Sequence, residues 1–240
     1  MDGMIFAAGL GTRLRPLTDD RPKALVELGG KPLLAHVIAK MREAGIKRIV
    51  INVHHFADLI EAFLKREYAS DPDLILSDER ELLLDTGGGL SKARSYFTPG
   101  ASVLIHNVDI FTELGLRQVM ELHERRQDYA TLVTCPASPG RGFRFNAAGC
   151  LKGWENNLTG EQKKVDEEFG NSLNYGFCGI HIVSAAFLQN MTGCGAFSMV
   201  DEYLRQAARF PVRMFFYSGP FLDLGTPETL SRAERIFSFR

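Results

Sequence analysis

The stretch Phe6-Ala7-Ala8-Gly9-Leu10-Gly11-Thr12-Arg13-Leu14-Arg15-Pro16-Leu17-Thr18, closed by Arg21-Pro22-Lys23, governs how the rest of the chain is read. It follows Met4-Ile5-Phe6, an apolar run that reads as a buried first strand. Its glycines and cations therefore sit at a strand's carboxyl end, where open α/β sheets bind ligands. Glycine lets backbone N–H groups approach phosphate oxygens closely, arginine grips such oxygens with paired hydrogen bonds, and lysine acts as a movable point charge. The segment is suited to holding a polyphosphate.

Gly9-Leu10-Gly11 after a strand also opens the dinucleotide fingerprint, but that motif needs a third glycine and an immediate helix. Here Leu14 takes the third position, and Pro16 and Pro22 would each interrupt a helix begun at Gly11. A Walker A loop is excluded because no Gly-Lys-Ser or Gly-Lys-Thr stands where one is needed.

The 240 residues, 45% of them apolar, suffice for one large α/β domain, with no linker composition inside it. The balance of 28 basic against 29 acidic side chains gives no electrostatic reason to expect nucleic acid or a membrane as partner. Cys135, Cys150, Cys178 and Cys194 are too widely spaced for a zinc ribbon and read as buried free thiols. With no secretory leader and no bilayer-length apolar run in the sequence, the expected setting is the reducing cytoplasm.

Helical spacing places a helix between Pro32 and Gly45 and a second at Phe56–Leu64, with strands at Lys47–Val53 and Asp73–Leu76. This strand–helix–strand–helix–strand order predicts a parallel sheet with right-handed crossovers. A short helix is expected over Leu90–Phe97, opening at Thr86-Gly87-Gly88-Gly89, where backbone groups would face a nucleotide. Strands at Ser102–His106 and Tyr129–Cys135 bracket a helix at Leu116–Gln127. Beyond Pro136 the pattern changes to a hairpin around Asn146-Ala147-Ala148-Gly149 and a charged, mobile loop at Asn156–Asn171. Strands at Tyr175–Val183 and Val212–Tyr217, a helix at Phe197–Arg209 and a last helix opened by Thr226-Pro227-Glu228 complete the chain.

Asp109 and Asp223 each follow an apolar strand. Mg2+ binds carboxylate and phosphate oxygens and often takes only one or two protein carboxylates. Either aspartate taken alone reads first as a loop cap. Adjacent His54 and His55 would point to opposite faces of a strand and do not make a metal site.

Together the Phe-Ala-Ala-Gly-x-Gly-Thr-Arg-x-x-Pro-Leu-Thr stretch, the downstream Pro22-Lys23 and the segment Asp223-Leu224-Gly225-Thr226-Pro227 resemble the sugar-1-phosphate nucleotidyltransferases. The resemblance runs from Met4 to about Arg232. It implies an α/β, Rossmann-like three-layer fold of the glycosyltransferase-A type with a mainly parallel mixed central sheet. It implies a single domain, with a nucleotide-binding half over 1–135 and a sugar-phosphate-binding half over 136–240. The implied reaction is attack of a sugar-1-phosphate on the α-phosphorus of a nucleoside triphosphate, with Mg2+ as cofactor. Carried over residue by residue, Arg13, Lys23, Asp109 and Asp223 are the catalytic set, the two aspartates holding the metal. Ala7, Ala8, Gly9, Gly11, Thr12, Arg13, Lys23, Asp78, Thr86, Gly87, Gly88 and Asn107 fall to the nucleotide, and Ser77 and Glu79 are implied to help Asp78 read the base. Arg141, Gly142, Glu155 and Asn174 fall to the acceptor, although Arg141 and Glu155 also read as solvated hairpin charges.

Two departures from the family pattern stand out. Val108 replaces the usual small residue before the first aspartate, and Asn156 replaces an expected lysine after Glu155. The Asp85-Thr86-Gly87-Gly88-Gly89 cluster is most similar to the N-acetylmuramate-1-phosphate uridylyltransferase branch, linked to cell wall recycling. Mannose- or heptose-1-phosphate guanylyltransferases, a phosphocholine cytidylyltransferase, or a catalytically silent binding module are the alternatives. The expected assembly is a monomer or small homo-oligomer.

Overall fold

The computed structural model describes residues 1–137 and 140–236. The chain opens with strand β1 (Asp2–Phe6), two single 3₁₀ turns at Thr12–Leu14 and Lys23–Leu25, and a two-residue ribbon of β2 (Glu27–Leu28) and β3 (Lys31–Pro32). Then come α1 (Leu33–Glu43), β4 (Ile49–Val53), α2 (Ala57–Glu67), β5 (Leu74–Asp78), α3 (Asp85–Ala93), β6 (Val103–Asn107), β7 (Ile110–Thr112), α4 (Leu116–Arg126) and β8 (Ala130–Cys135). The remainder is β9 (Arg141–Phe145), β10 (Leu151–Asn156), β11 (Glu161–Lys164), β12 (Leu173–Val183), α5 (Ala185–Gln189), α6 (Met199–Ala207), β13 (Val212–Phe216), β14 (Phe221–Asp223) and α7 (Pro227–Ile236).

Strands β5, β4, β1 and β6 lie side by side and parallel. Next to β6 the direction reverses at β12, which is long enough to serve two partners on its other edge. Its Leu173–Tyr175 end pairs with β9 and leads to the antiparallel β10 and β11, while its later residues pair with β8, itself parallel to β13. The mixed sheet inferred from sequence is thus present, with four parallel pairings and five antiparallel ones among the described residues, so parallel pairing does not predominate; every antiparallel pairing involves a strand after residue 135.

Alternation along the strands sends side chains into two cores, the expected result for a sheet covered on both faces. Ile5, Ile49, Ile51, Leu104, Ile180 and Ile182 pack under helices α1, α2, α4 and α7. Met4, Val50, Val103, Ile105 and Val183 face the opposite way, under α3, α5 and α6. Helix α1 buries Leu33, Leu34, Val37, Ile38 and Met41, one stripe at helical spacing. Helix α7 starts as its sequence predicts: Thr226 Oγ1 accepts the Thr229 N–H at 3.3 Å and Pro227 occupies the first helical position.

Two expectations are corrected. Asn156–Asn171 is not a mobile loop: it contains β11, paired to β10, and a short 3₁₀ helix at Glu167–Asn171. Lys152 ties it down through Asp166 at 2.8 Å and Glu168 at 3.1 Å. Its charges are those of a solvent-facing edge strand, a common way of blunting an edge. The second correction concerns the glycine cluster. Helix α3 begins at Asp85, so Gly87, Gly88 and Gly89 lie inside it, and the amides of Gly87 and Gly88 both donate to the Phe197 carbonyl at 2.8 and 3.2 Å. A Cβ on Gly87 would stand 2.5 Å from the Phe197 ring, and one on Gly88 2.2 Å from the Gly195 carbonyl oxygen. These glycines let the loop before α6 sit against α3.

Gly9 differs, because a Cβ there would meet nothing within 4 Å. Gly88→Ala is therefore expected to lower folding stability by roughly 1–3 kcal/mol, the usual cost of forcing atoms into a packed contact, while Gly9→Ala leaves it unchanged. Urea unfolding midpoints of the two variants check this, and equal midpoints would refute the packing role of Gly88.

Candidate active site

The order β5-β4-β1-β6 contains a switch point: from β1 the chain moves outward to β4 and β5, then returns to place β6 on β1's other side. Loops leaving the carboxyl ends of β1 and β6 therefore diverge around a crevice. The backbone fixes its floor. The Val108 N–H donates to the Phe6 carbonyl at 3.1 Å, and the Ala7 N–H donates to Asn52 Oδ1 at 2.8 Å. Gly11 turns the loop at a φ of +66°, and Thr18 Oγ1 fastens its carbonyl at 2.9 Å. A side chain at Gly11 would also press on Thr18 and on the Lys23 Cβ at 3.2 Å, so this position requires glycine on both counts.

The resulting cavity measures about 570 Å³, and every residue from Phe6 to Arg13 borders it. Of the residues assigned to the nucleotide from sequence, Ala7, Ala8, Gly9, Gly11, Thr12, Arg13, Lys23, Thr86 and Asn107 are brought together here, with Asp109 at the edge. Gly87 and Gly88 lie behind Thr86, their amides already engaged. Asp78 is not on the wall either: its carboxylate binds Arg80 at 2.6 Å on the outer surface.

Two buried polar groups border the same cavity: Glu79, which the resemblance had placed beside the base, and Asn52, which the sequence reading passed over. Asn52 stands in the otherwise apolar Ile49-Val50-Ile51-Asn52-Val53 strand, and that intrusion was the available signal, since a buried polar side chain requires partners. Besides holding Ala7, it donates from Nδ2 to Glu79 Oε1 at 2.8 Å, and Glu79 Oε2 accepts the Leu84 N–H at 3.2 Å. Burial pushes the Glu79 carboxyl up, against the lowering effect of Asn52 and Leu84. One carboxyl thus joins the first loop, the end of β4 and the entrance to α3. Leu83 and Asp85 complete this wall.

The charges are arranged in pairs. Lys23, only 8% exposed, forms an ion pair with Asp109. Asp223 is brought alongside by the ribbon of β7 and β14, in which it pairs with Ile110, and by the Leu224 N–H, which donates to the Asp109 carbonyl at 2.8 Å. Burial first, and then the like charge of Asp109, raise the Asp223 carboxyl above its usual range, although its side chain keeps 49% exposure. Arg13 lies 3.8 Å from Asp223 with its own side chain 66% exposed, a loose contact that leaves it free to take another anion. Among the described residues no group of three or more His, Cys, Asp or Glu converges on a metal position. Asp109 and Asp223, two mutually repelling carboxylates, are the residues that could hold a Mg2+ ion, which often takes only one or two protein carboxylates.

A second cavity of about 280 Å³ shares Asn107 and Asp109 with the first and is also bordered by Asp223. Its other walls come mostly from β9, β10 and β12 and include Arg141, Gly142, Phe143, Trp154 and Phe177. Glu155 and Asn174 are not on its surface. Glu155 is buried, takes both oxygens to Arg144 at 3.0 Å, and accepts from Asn174 Nδ2. Burial alone would raise its carboxyl, but Asn174 and Arg144 outweigh that and hold it below the usual range. A Cβ at Gly142 would lie 2.0 Å from Asn174 Oδ1, so the pair supports the strand carrying Gly142 from behind. Asn156, where the family pattern expects lysine, is buried and accepts the Leu158 N–H at 3.0 Å, capping the turn into β11. Val108 is also buried, belonging to the first of the two cores while bordering the first cavity.

Comparison with known proteins agrees with this geometry. Residues 2–144 match the family model described as nucleotidyl transferase. An N-acetylmuramate alpha-1-phosphate uridylyltransferase of Caulobacter vibrioides is 48% identical over 235 residues, 96% of this chain and 94% of that protein. A mannose-1-phosphate guanyltransferase of Yarrowia lipolytica is 29% identical over 95% of this chain, which spans 61% of that protein's length. The crystal structure of HddC from Yersinia pseudotuberculosis superposes with a TM-score of 0.79 at 22% identity, covering 99% of each chain. A UDP-glucose pyrophosphorylase from Acinetobacter baumanii does so at 0.78 and 16%, covering 97% of this chain and 91% of that one. With a phosphate-suited loop at the switch point, paired aspartates beside it and a matching family model over more than half its length, the chain belongs to the nucleotidyl transferase family.

Proposed function

We propose that this protein transfers the uridylyl group of UTP to N-acetylmuramate α-1-phosphate, giving the UDP-sugar and pyrophosphate. The observation that carries this reading is the pair of cavities meeting at Asn107 and Asp109, one beside the cationic glycine loop and the other beside the sheet extension. The choice of uridine and muramate rests on the Caulobacter relative, whose identity extends over nearly the whole of both chains. Guanylyl transfer to mannose 1-phosphate is the second reading, favoured by the Yarrowia relative. A silent binding module is disfavoured because Arg13, Lys23, Asp109 and Asp223 are all present and clustered.

Both reactants are anions, so neutralisation dominates the chemistry. Two unit charges about 4 Å apart repel by roughly 4 kcal/mol at an effective dielectric of 20. In this reading the glycine loop holds the triphosphate, Arg13 holds the departing pyrophosphate, and Lys23 stabilises charge at the α-phosphate. A bound Mg2+ on Asp109 and Asp223 would supply further charge neutralisation between phosphates. A sugar-phosphate oxygen is already ionised near neutral pH and attacks without a dedicated general base. Residues 1–135 serve the nucleotide and residues 136–240 the acceptor, with the aspartates between them. No helix among the described residues is long and apolar enough to cross a membrane. The four cysteines are free thiols, but only Cys178 is buried as expected; Cys135 and Cys150 are half-buried and Cys194 is exposed, and free thiols suit a reducing cytoplasm.

The primary test is a matrix of UTP, GTP, CTP and dTTP against N-acetylmuramate, mannose, glucose and heptose 1-phosphates, scored by pyrophosphate release. UTP with the muramate ester should give the highest kcat/KM, and GTP with mannose 1-phosphate would establish the second reading instead. Asp109→Asn and Asp223→Asn should each abolish turnover, and EDTA should silence the wild type until Mg2+ is restored. A variant with near-normal turnover would remove that aspartate from the metal site. Arg13→Ala and Lys23→Met should each lose about a hundredfold in kcat, on the order of 3 kcal/mol, as expected for a preorganised charge facing the transition state. Lys65→Ala, on the solvent face of α2, serves as the unaffected control.

A further inference from the structure

The second cavity contains more negative charge than its proposed occupant would tolerate unaided. Asp109 and Asp223 both border it, and the acceptor brings a phosphate. Lys23 and Arg13, the cations nearest those aspartates, belong to the first cavity. N-acetylmuramate 1-phosphate adds a further anion, the carboxylate of its lactyl ether, which has to find a cation of its own.

Most nearby cations are already committed. Arg144 is held by Glu155 at 3.0 Å and by Ser172 Oγ at 3.1 Å. Lys163 binds Asp201 at 2.7 Å and lies over the Trp154 ring, and Lys152 is taken by Asp166 and Glu168. Arg141 is different. It is the one cation among the described residues bordering the second cavity, it is exposed, and its side chain has no carboxylate partner among those residues. Alternation along β9 puts it on the same face as Phe143 and opposite Arg144. Phe143, Trp154 and Val200 supply the apolar part of the same wall.

We propose that Arg141 recognises a carboxylate on the acceptor sugar and so selects acidic over neutral sugar 1-phosphates, an inference that rests on the acceptor reading above. The guanidinium presents paired donors that match a carboxylate, an arrangement lysine does not reproduce. A neutral acceptor leaves Arg141 in water, where it is already solvated. Selection therefore comes from a bond gained with the acid, with no penalty imposed on its neutral counterpart.

The test compares wild type, Arg141→Met and Arg141→Lys with saturating UTP and three acceptors: N-acetylmuramate 1-phosphate, its lactyl amide, and N-acetylglucosamine 1-phosphate, which lacks the lactyl ether. Wild type should favour the acid. Arg141→Met should lose about 10- to 100-fold in kcat/KM on the acid, chiefly through KM, and less than about 3-fold on the two neutral acceptors. Arg141→Lys should recover part of the loss. Equal losses on all three acceptors would overturn the proposal and move Arg141 to the shared phosphate or ring, and no loss on any would return it to the solvated surface. Those results leave the acceptor reading standing if wild type still prefers the acid. A wild type that accepts neutral sugar 1-phosphates but not the acid overturns both.

Discussion

The parallel ladder between β1 and β6, with Asp2 to Phe6 against Val103 to Asn107, sets where the functional groups stand. It forces two loops to leave the sheet side by side in the same direction, and the Val108 N–H bonded to the Phe6 carbonyl continues the ladder one step into the crevice. Lys23, delivered by the first loop, thereby meets Asp109, delivered by the second. Asp223 comes from more than a hundred residues later, held to Ile110 by a ribbon of only three residue pairs. The site is thus fixed mainly by backbone hydrogen bonds, which leave side-chain charges free to respond to ligands.

On the other side of β6, strand β12 carries two partners along one edge, β9 and β8. Its pairing with β8 shifts register between Phe177 and His181, and Gly179 within that interval adopts a φ of +65°. A Cβ there would lie 2.7 Å from the Ile110 Cγ1 and 2.9 Å from the Asn107 Nδ2. The irregularity brings backbone close to the junction of the two cavities, a common use of such bulges near functional sites. It also lets one strand carry β9 at one end and β8 at the other, so the acceptor-side extension grows from the same sheet that holds the nucleotide loop.

Buried polar networks stiffen both halves. Asn52 and Glu79 bind three backbone segments on the nucleotide side, and Glu155, Arg144 and Asn174 bind β9, β10 and β12 on the other. Neither network works through exposed charge. Each is a set of buried groups that are expensive to leave unpaired, and this fixes loop position more firmly than apolar packing, which tolerates sliding.

Much of this was legible in the sequence because it depends on local periodicity and turn chemistry. The apolar β1 followed by Gly9, Gly11 and Arg13, the stripe of α1, and Thr226 with Pro227 at the start of α7 each follow from short-range rules, and so does a sheet parallel over its first half. The long-range pairings were not legible. Gly87 and Gly88 read as a phosphate-facing helix start, yet their amides serve Phe197, a contact across some 110 residues that no local pattern encodes. Glu155 read as a surface charge or a ligand contact, and only the fold shows it buried against Arg144 and Asn174. Likewise the charged run after Asn156 became a strand because β10 offered it an edge. Residue type and spacing determined which chemistry the chain carries, because phosphate-suited loops and helix caps are local. Tertiary structure decided which of those groups face a ligand and which face each other, because burial and partner choice are settled only when distant segments meet.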